Sequence, residues 1–279
     1  MKIDHVSIGW SDLGVLQNLF ADSGMATEYG GPHSSGNTHM SLLGFGDGSY
    51  IELISTVRPD AVSSSWRRQI EEDGGPCAWC VEQTDIAHEV EEAKRLGISA
   101  TGPIAYTRKR PDGVLVEWDL GFLGDGEAGS TLPFMIKDKT PRDFRVRPSA
   151  SVSGAGSPLK GVGGVVLAVH DLDSSTAQFR KLYGWEEPET DVGLLEGATL
   201  ARFEGTPVTL AAPRGQGWLS QRLAGFGPSP CAFLLDAVDL DSASRSHPLT
   251  PRQPWFGGHK LSWVKPMKDR GIMLGVVGA

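Results

Sequence analysis

No stretch of the 279 residues approaches the ~20 consecutive apolar residues that a bilayer-spanning helix needs, so a membrane role finds no support. Positive charge is short as well. Lys and Arg number 26 against 34 Asp and Glu, a formal net charge of -8, and a nucleic-acid binder would lack its usual basic footprint. The two local basic runs, Arg108-Lys109-Arg110 and residues 142–147, read as a solvated turn and a linker. Cysteine is scarce: three residues, an odd number, argue against a disulfide framework and for a reducing cytoplasm. The opening Met1-Lys2-Ile3-Asp4-His5 lacks the apolar core of a signal peptide, which carries the same expectation of a cytoplasmic protein. Cys77-Ala78-Trp79-Cys80 is formally C-x-x-C, but a zinc knuckle needs a second pair and Cys231 stands alone, so buried apolar thiols are expected. No nucleophile elbow, phosphate-binding glycine loop or dinucleotide fingerprint is present.

What the chain has in quantity is glycine, 36 residues, with 18 prolines, and this favours many turns and short strands. Residues 2–9 alternate as a strand, and Ser11-Asp12 can cap a helix through Leu13, Leu16, Leu19 and Phe20. Strands near 26–30, 38–45 and 49–55 follow, the last two joined by the turn Gly46-Asp47-Gly48-Ser49. This is a βαβββ unit, and a connecting helix is expected over 61–72. A second unit has the same grammar: strand 77–82, a helix through Ile86, Val90, Ala93 and Leu96 stopped by Gly97, then strands near 103–107, 113–120 and 131–137. Residues 149–158 are small, polar and aperiodic, and read as a linker.

Beyond the linker the pattern restarts. Asp12 and Asp171, each followed by Leu, and Phe20 and Phe179 are all 159 residues apart, while Pro76-Cys77-Ala78 and Pro230-Cys231-Ala232 are 154 apart. The chain therefore reads as four βαβββ modules in two repeated halves, 1–148 and 159–279. Within the first module, three strands each carry a residue able to bind a metal: His5, His39 and Glu52. Two imidazoles and a carboxylate suit Zn, Mn, Fe(II) or Ni(II).

These modules, opening with Asp4-His5-Val6 and running through Asn37-Thr38-His39-Met40 to Tyr50-Ile51-Glu52-Leu53-Ile54, resemble the vicinal oxygen chelate superfamily, the glyoxalase-like proteins. The string from Gly36 to Ile54 is similar to the signature of its glyoxalase-like domain branch, and Thr131–Lys137 to a later strand of it. The resemblance implies an α+β fold in which paired modules curve into a mixed half-barrel with outer helices around a divalent metal. It carries His5 and Glu52 over as first- and last-strand ligands and His39 as the third-strand ligand, all three lining one concave face. Departures are plain: Lys137 stands where relatives carry a carboxylate, the first strand of module two offers Ala78 or Trp79, and Gly164 replaces His5 in the second half. A site is thus expected between modules one and two only.

The enzyme so implied is a metal-dependent lyase or isomerase acting on a small oxygenated metabolite. The metal would chelate its oxygens while Glu52 or His39 moves a proton off an enolisable carbon. Ring-cleaving dioxygenation is disfavoured, because module two lacks a first-strand histidine. The alternative is a metal-free protein that binds or sequesters a small molecule, favoured by the lost ligands and the tryptophans. Secondary substrate contacts are His33 at the cavity mouth, Arg108 toward an acidic group, Trp79 and Trp118 as aromatic walls, and Lys137 as an anion holder or base. Each also has an ordinary place: loop, exposed hairpin, core or solvated strand end. The expected partner is a small molecule, and the modules pair either within one chain or across a homodimer.

Overall fold

The computed structural model describes residues 1–58 and 60–279. In chain order its first half contains β1 (Ile3–Gly9), α1 (Leu13–Asp22), β2 (Glu28–Pro32), β3 (Thr38–Gly44), β4 (Tyr50–Thr56), α2 (Arg67–Glu71), β5 (Gly75–Glu82), α3 (Ile86–Arg95), β6 (Ala100–Lys109), β7 (Leu115–Leu123) and β8 (Phe134–Asp138). Two short helices, α4 (Arg142–Arg145) and α5 (Ala150–Ser153), lead to the second half. There follow β9 (Leu159–Ala168), α6 (Leu172–Tyr183), β10 (Glu189–Asp191), β11 (Ala198–Arg202), β12 (Val208–Pro213), α7 (Trp218–Phe226), β13 (Ser229–Ala237), α8 (Leu240–Ser246), β14 (Gln253–Pro254), β15 (Lys260–Trp263), α9 (Lys265–Lys268) and β16 (Leu274–Gly278).

Two eight-stranded mixed sheets result, ordered β2-β3-β4-β1-β5-β8-β7-β6 and β10-β11-β12-β9-β13-β16-β15-β14. The two orders are the same with eight added to each label, so the repeat expected from the sequence is a repeat of topology. Each sheet joins two βαβββ modules through one antiparallel seam, β1 on β5 and β9 on β13. Modules one and two therefore share a sheet within one chain. The fold is α+β, two curved half-barrel sheets in tandem.

The local chemistry behind the repeat is helix capping. Asp12, Asp85, Asp171 and Asp239 each sit at an N-cap and accept backbone N–H groups of the first turn, from Gly14, His88, Ser174 and Ser242. Each Asp is followed by an apolar residue, Leu13, Ile86, Leu172 or Leu240, which starts the face packed on the sheet. Strand alternation then divides side chains between two surfaces. Val6, Ile8, Ile51, Leu53, Trp79 and Val81 of the first sheet and Val165, Leu167, Leu210 and Phe233 of the second join one continuous core beneath the helices. The opposite, concave surfaces form separate clusters.

Three sequence expectations are corrected here. The connecting helix is shorter than the 61–72 stretch, occupying Arg67–Glu71 only. The aperiodic stretch 149–158 holds helix α5, with Val152 fully buried and Ser149 tied to Gly44, because its few apolar residues pack on β3 and β9. Neither basic run is wholly solvated: Arg108 and Arg145 are 6% and 4% exposed, both turned inward to backbone and carboxylate oxygens. All three cysteines are free and buried.

Candidate functional site

The concave face of the first sheet encloses a cavity of about 260 Å³ lined by residues of β1, β3, β4, β6, β7 and β8 and by the 63–66 loop. Which side chains reach it follows from pairing register. In the parallel pair β1 and β4, His5 lies opposite Tyr50 and Ser7 opposite Glu52, so all four share the concave face. In the antiparallel pair β3 and β4, Leu42 lies opposite Glu52 and Met40 opposite Ile54. Even-numbered residues of β3 therefore face inward. Gly48, with φ +90°, and the Asp47 carboxylate, which accepts the N–H and hydroxyl of Ser49, set the turn that fixes this register.

His39 is consequently on the wrong face. It pairs with Ser55 and turns away from Glu52, with the Tyr29 ring set edge-on beside it. Thr38 takes the inward place, and behind it comes His33, from the loop after β2. The His33 Nε2 lies 3.2 Å from Glu52 Oε1, and the Thr38 hydroxyl meets its Nδ1 at 2.8 Å. Ser7 Oγ donates to Glu52 Oε2 at 3.1 Å. Burial alone would raise the Glu52 carboxyl. The hydrogen bond and charge of His33, the charge of His5 and the Ser7 hydroxyl overturn this and hold it at about 2. Glu52 is thus a carboxylate throughout the neutral range.

His5 is fixed from behind. Its Nδ1 lies 2.6 Å from Asp4 Oδ1, its ring stacks on Tyr50 with centroids 4.5 Å apart, and Phe134 meets it edge-on. Burial pushes the Asp4 carboxyl up, but Arg145 and the His5 contact prevail and hold it well below the usual range. An ionised Asp4 fixes the proton on Nδ1 and leaves Nε2 as the ring nitrogen free for the cavity. Arg145 grips Asp4 through Nη1 and Nη2 at 2.9 Å each and Asp138 through Nε and Nη2 at 2.7 and 2.9 Å, and gives its last N–H to Tyr50 Oη at 3.0 Å. Burial pushes the Tyr50 phenol upward, so it stays neutral.

Among the described residues, Asp4, His5 and Cys80 bring one ligand atom each to within 4.8 Å of one another. Both Asp4 oxygens are already occupied by guanidinium groups, and burial drives the Cys80 thiol well above its usual range. This trio is a support behind His5, not a cation cage.

The remaining sequence candidates separate by face. Trp118 lines the cavity with Tyr106, Phe122, Phe134 and Trp66. Trp79, adjacent to the inward Ala78 and Cys80, points into the helix-covered core and donates its Nε1–H to Thr131 O. Lys137 is exposed on the far side of β8, opposite Asp119, because Phe134 and Ile136 take the inward places of that strand. Arg108 lines the cavity. Sequence reasoning missed Asp4, Tyr50 and Arg145. Asp4 was signalled only by its adjacency to His5, and Arg145, far along the chain, gave no signal.

In the second half, Gly164 occupies the His5 place and Thr209, opposite Val166, the Glu52 place. Leu219 and Leu223 of α7 pack into that concave face against Ala168, Ala211, Ala232 and Trp263. Helix α2 lies on the equivalent strands β1, β4 and β5 of the first sheet, and beside α7 the second half has a pocket of its own, about 640 Å³, lined by Leu195, Trp218, Trp263 and Met273 with no counterpart of His5 or Glu52.

This geometry agrees with the comparisons. Residues 3–183 match the model of the glyoxalase-like domain, and the chain belongs to that family, within the vicinal oxygen chelate superfamily. No curated protein matches the sequence. Among solved structures, a hypothetical protein from Staphylococcus aureus is 13% identical over 99% of this chain and 98% of its own, with a TM-score of 0.64. A mutant of 4-hydroxymandelate synthase from Streptomyces coelicolor is 12% identical over 99% and 92%, with a TM-score of 0.66. A fusion of a xylose isomerase-like TIM barrel with 4-hydroxyphenylpyruvate dioxygenase is 14% identical over 99% of this chain and 48% of its own, at 0.58. At such identities the likeness is one of fold.

Proposed function

We propose that the chain is a glyoxalase-like, metal-dependent lyase or isomerase that enolises a small oxygenated metabolite in the first-half cavity. The observation that carries this reading is the pair of relays converging on one concave face, Asp4–His5 and Ser7–Glu52–His33. A divalent metal of the first transition row suits His5 Nε2 and Glu52, an imidazole backed by a carboxylate and a carboxylate held ionised. When bound, such an ion supplies Lewis acidity toward vicinal substrate oxygens.

The chain's own residues divide the remaining work. Asp4 fixes the His5 tautomer, and Arg145 fixes Asp4. Glu52, held at about 2, is a poor base and serves as ligand. In its neutral form His33 is the residue placed to move the proton: Nε2–H bonds Glu52, and Nδ1, which the substrate reaches by displacing the Thr38 hydroxyl, accepts a proton from substrate carbon and returns it. Trp118, Phe122 and Phe134 exclude water from the apolar side. His39 and Lys137 have no part in this reading.

The test is metal content by mass spectrometry. About one equivalent is expected in the wild type, none in His5→Ala or Glu52→Gln, and no change in His39→Ala or His33→Gln. Loss of metal from His33→Gln would make His33 a third ligand, and no metal in the wild type after reconstitution would overturn the reading. The competing metal-free binding protein rests on one observation: β5 and β8 face the cavity with Ala78, Phe134 and Ile136, and with Cys80, whose thiol burial keeps protonated.

A further inference from the structure

The cavity contains two buried guanidinium groups with opposite accounts. Arg145 places all five of its N–H donors on protein oxygens, four of these bonds going to the carboxylates of Asp4 and Asp138. Arg108 places two: Nη1 donates to Gly30 O, and Nη2 donates to Arg145 O at 3.1 Å. Among the described residues it makes no ion pair, although it is 6% exposed. A buried cation without a counterion is costly, and backbone carbonyls offset only part of that cost.

The groups around Arg108 do not supply the missing anion. Glu52 is the acid whose field it feels, and that carboxylate is committed to Ser7 and His33. Tyr50 is neutral, and Arg110 and Arg145 add positive charge. Register places Arg108 on the face of Tyr106, which pairs with Trp118, so its side chain enters beside the aromatic wall. The site thus offers a planar fork of unused donors next to an apolar chamber of about 260 Å³.

We infer that Arg108 receives a carboxylate, and that the molecule taken up by this cavity is a small organic acid with an aromatic or apolar body. A guanidinium binds a carboxylate through two parallel N–H···O bonds, and the neighbouring aromatic wall of Trp66, Tyr106, Trp118, Phe122 and Phe134 matches a ring better than it matches a polar chain. The inference deepens the function proposed above by naming its substrate class. It rests on the same cavity being the working one, but not on metal occupancy.

The experiment compares phenylacetate with phenylacetamide, which differ in charge and scarcely in shape, by calorimetry on the full chain after EDTA treatment and again with Zn²⁺ restored. Wild type is expected to bind the acid at least about tenfold more tightly than the amide, the value of a hydrogen-bonded charge pair. In Arg108→Gln that preference should vanish while amide binding persists, which also reports an intact cavity. Should this variant fail to fold, phenylglyoxal labelling of wild type decides: phenylacetate protects Arg108 from modification and phenylacetamide does not. Equal affinity for acid and amide, no binding of either, a preference retained in Arg108→Gln, or absence of protection would each overturn the inference. An acid preference in protein that never takes up metal would remove the proposed metal chemistry and leave this assignment standing.

Discussion

Glu52→Gln gives a stability measurement whose sign and pH window follow from the structure. The carboxylate is buried yet ionised because His33, His5 and Ser7 favour its charged form. Moving a carboxyl from an ordinary 4.5 to about 2 corresponds to about 3 kcal/mol of stability. The folded-state value is depressed, so this contribution is fully present above the unfolded value and is lost as pH falls toward 2. Gln cannot carry the charge and presents an N–H where an acceptor stood. Urea unfolding of metal-free wild type and variant, followed by far-UV circular dichroism from pH 7 down to pH 3, should give a gap of about 3 kcal/mol at pH 6–7. The gap should narrow steadily below about pH 4.5. A gap of constant size across that range would refute the electrostatic account and assign the loss to shape alone.

Two further outcomes follow from other buried groups. Asp4→Asn leaves the Arg145 guanidinium half-compensated at 4% exposure, and a loss of about 3–5 kcal/mol in urea midpoints at pH 7 is expected; a change below about 1 kcal/mol would mean Asp138 suffices. Tyr183→Phe removes a buried hydroxyl that has no hydrogen-bond partner among the described residues, in a cluster with Phe179 and Trp185. Its melting temperature should hold or rise by a few degrees, and a fall of several degrees would reveal a partner for that oxygen.

The fold was legible because its information is local and repeated: an aspartate cap, an apolar helix start and alternating strands, four times over. The site was legible in part. His5 and Glu52 could be placed because both lie at fixed points of strands that pair in parallel. His39 failed by one residue, since its face depends on the residue count of the β3–β4 turn, which a motif does not reveal. The same parity sent Trp79 to the core and Lys137 to solvent. His33 and Arg108 were named, but their burial depends on packing between the two modules. Arg145 and α7 act through contacts between residues distant in sequence, and no spacing rule reaches them.

Helix α7 stands at the same point of the chain order as α2, and each lies on the equivalent three strands of its own sheet. One polypeptide thus carries the same receptacle twice. In the first copy His5, Ser7 and Glu52 face inward; in the second Gly164, Val166 and Thr209 stand at those places, and a pocket of about 640 Å³ is lined by Leu195, Trp218, Trp263 and Met273. For an engineer the second copy is a spare vessel already braced by its own sheet, in which a new donor set could be written without touching the first.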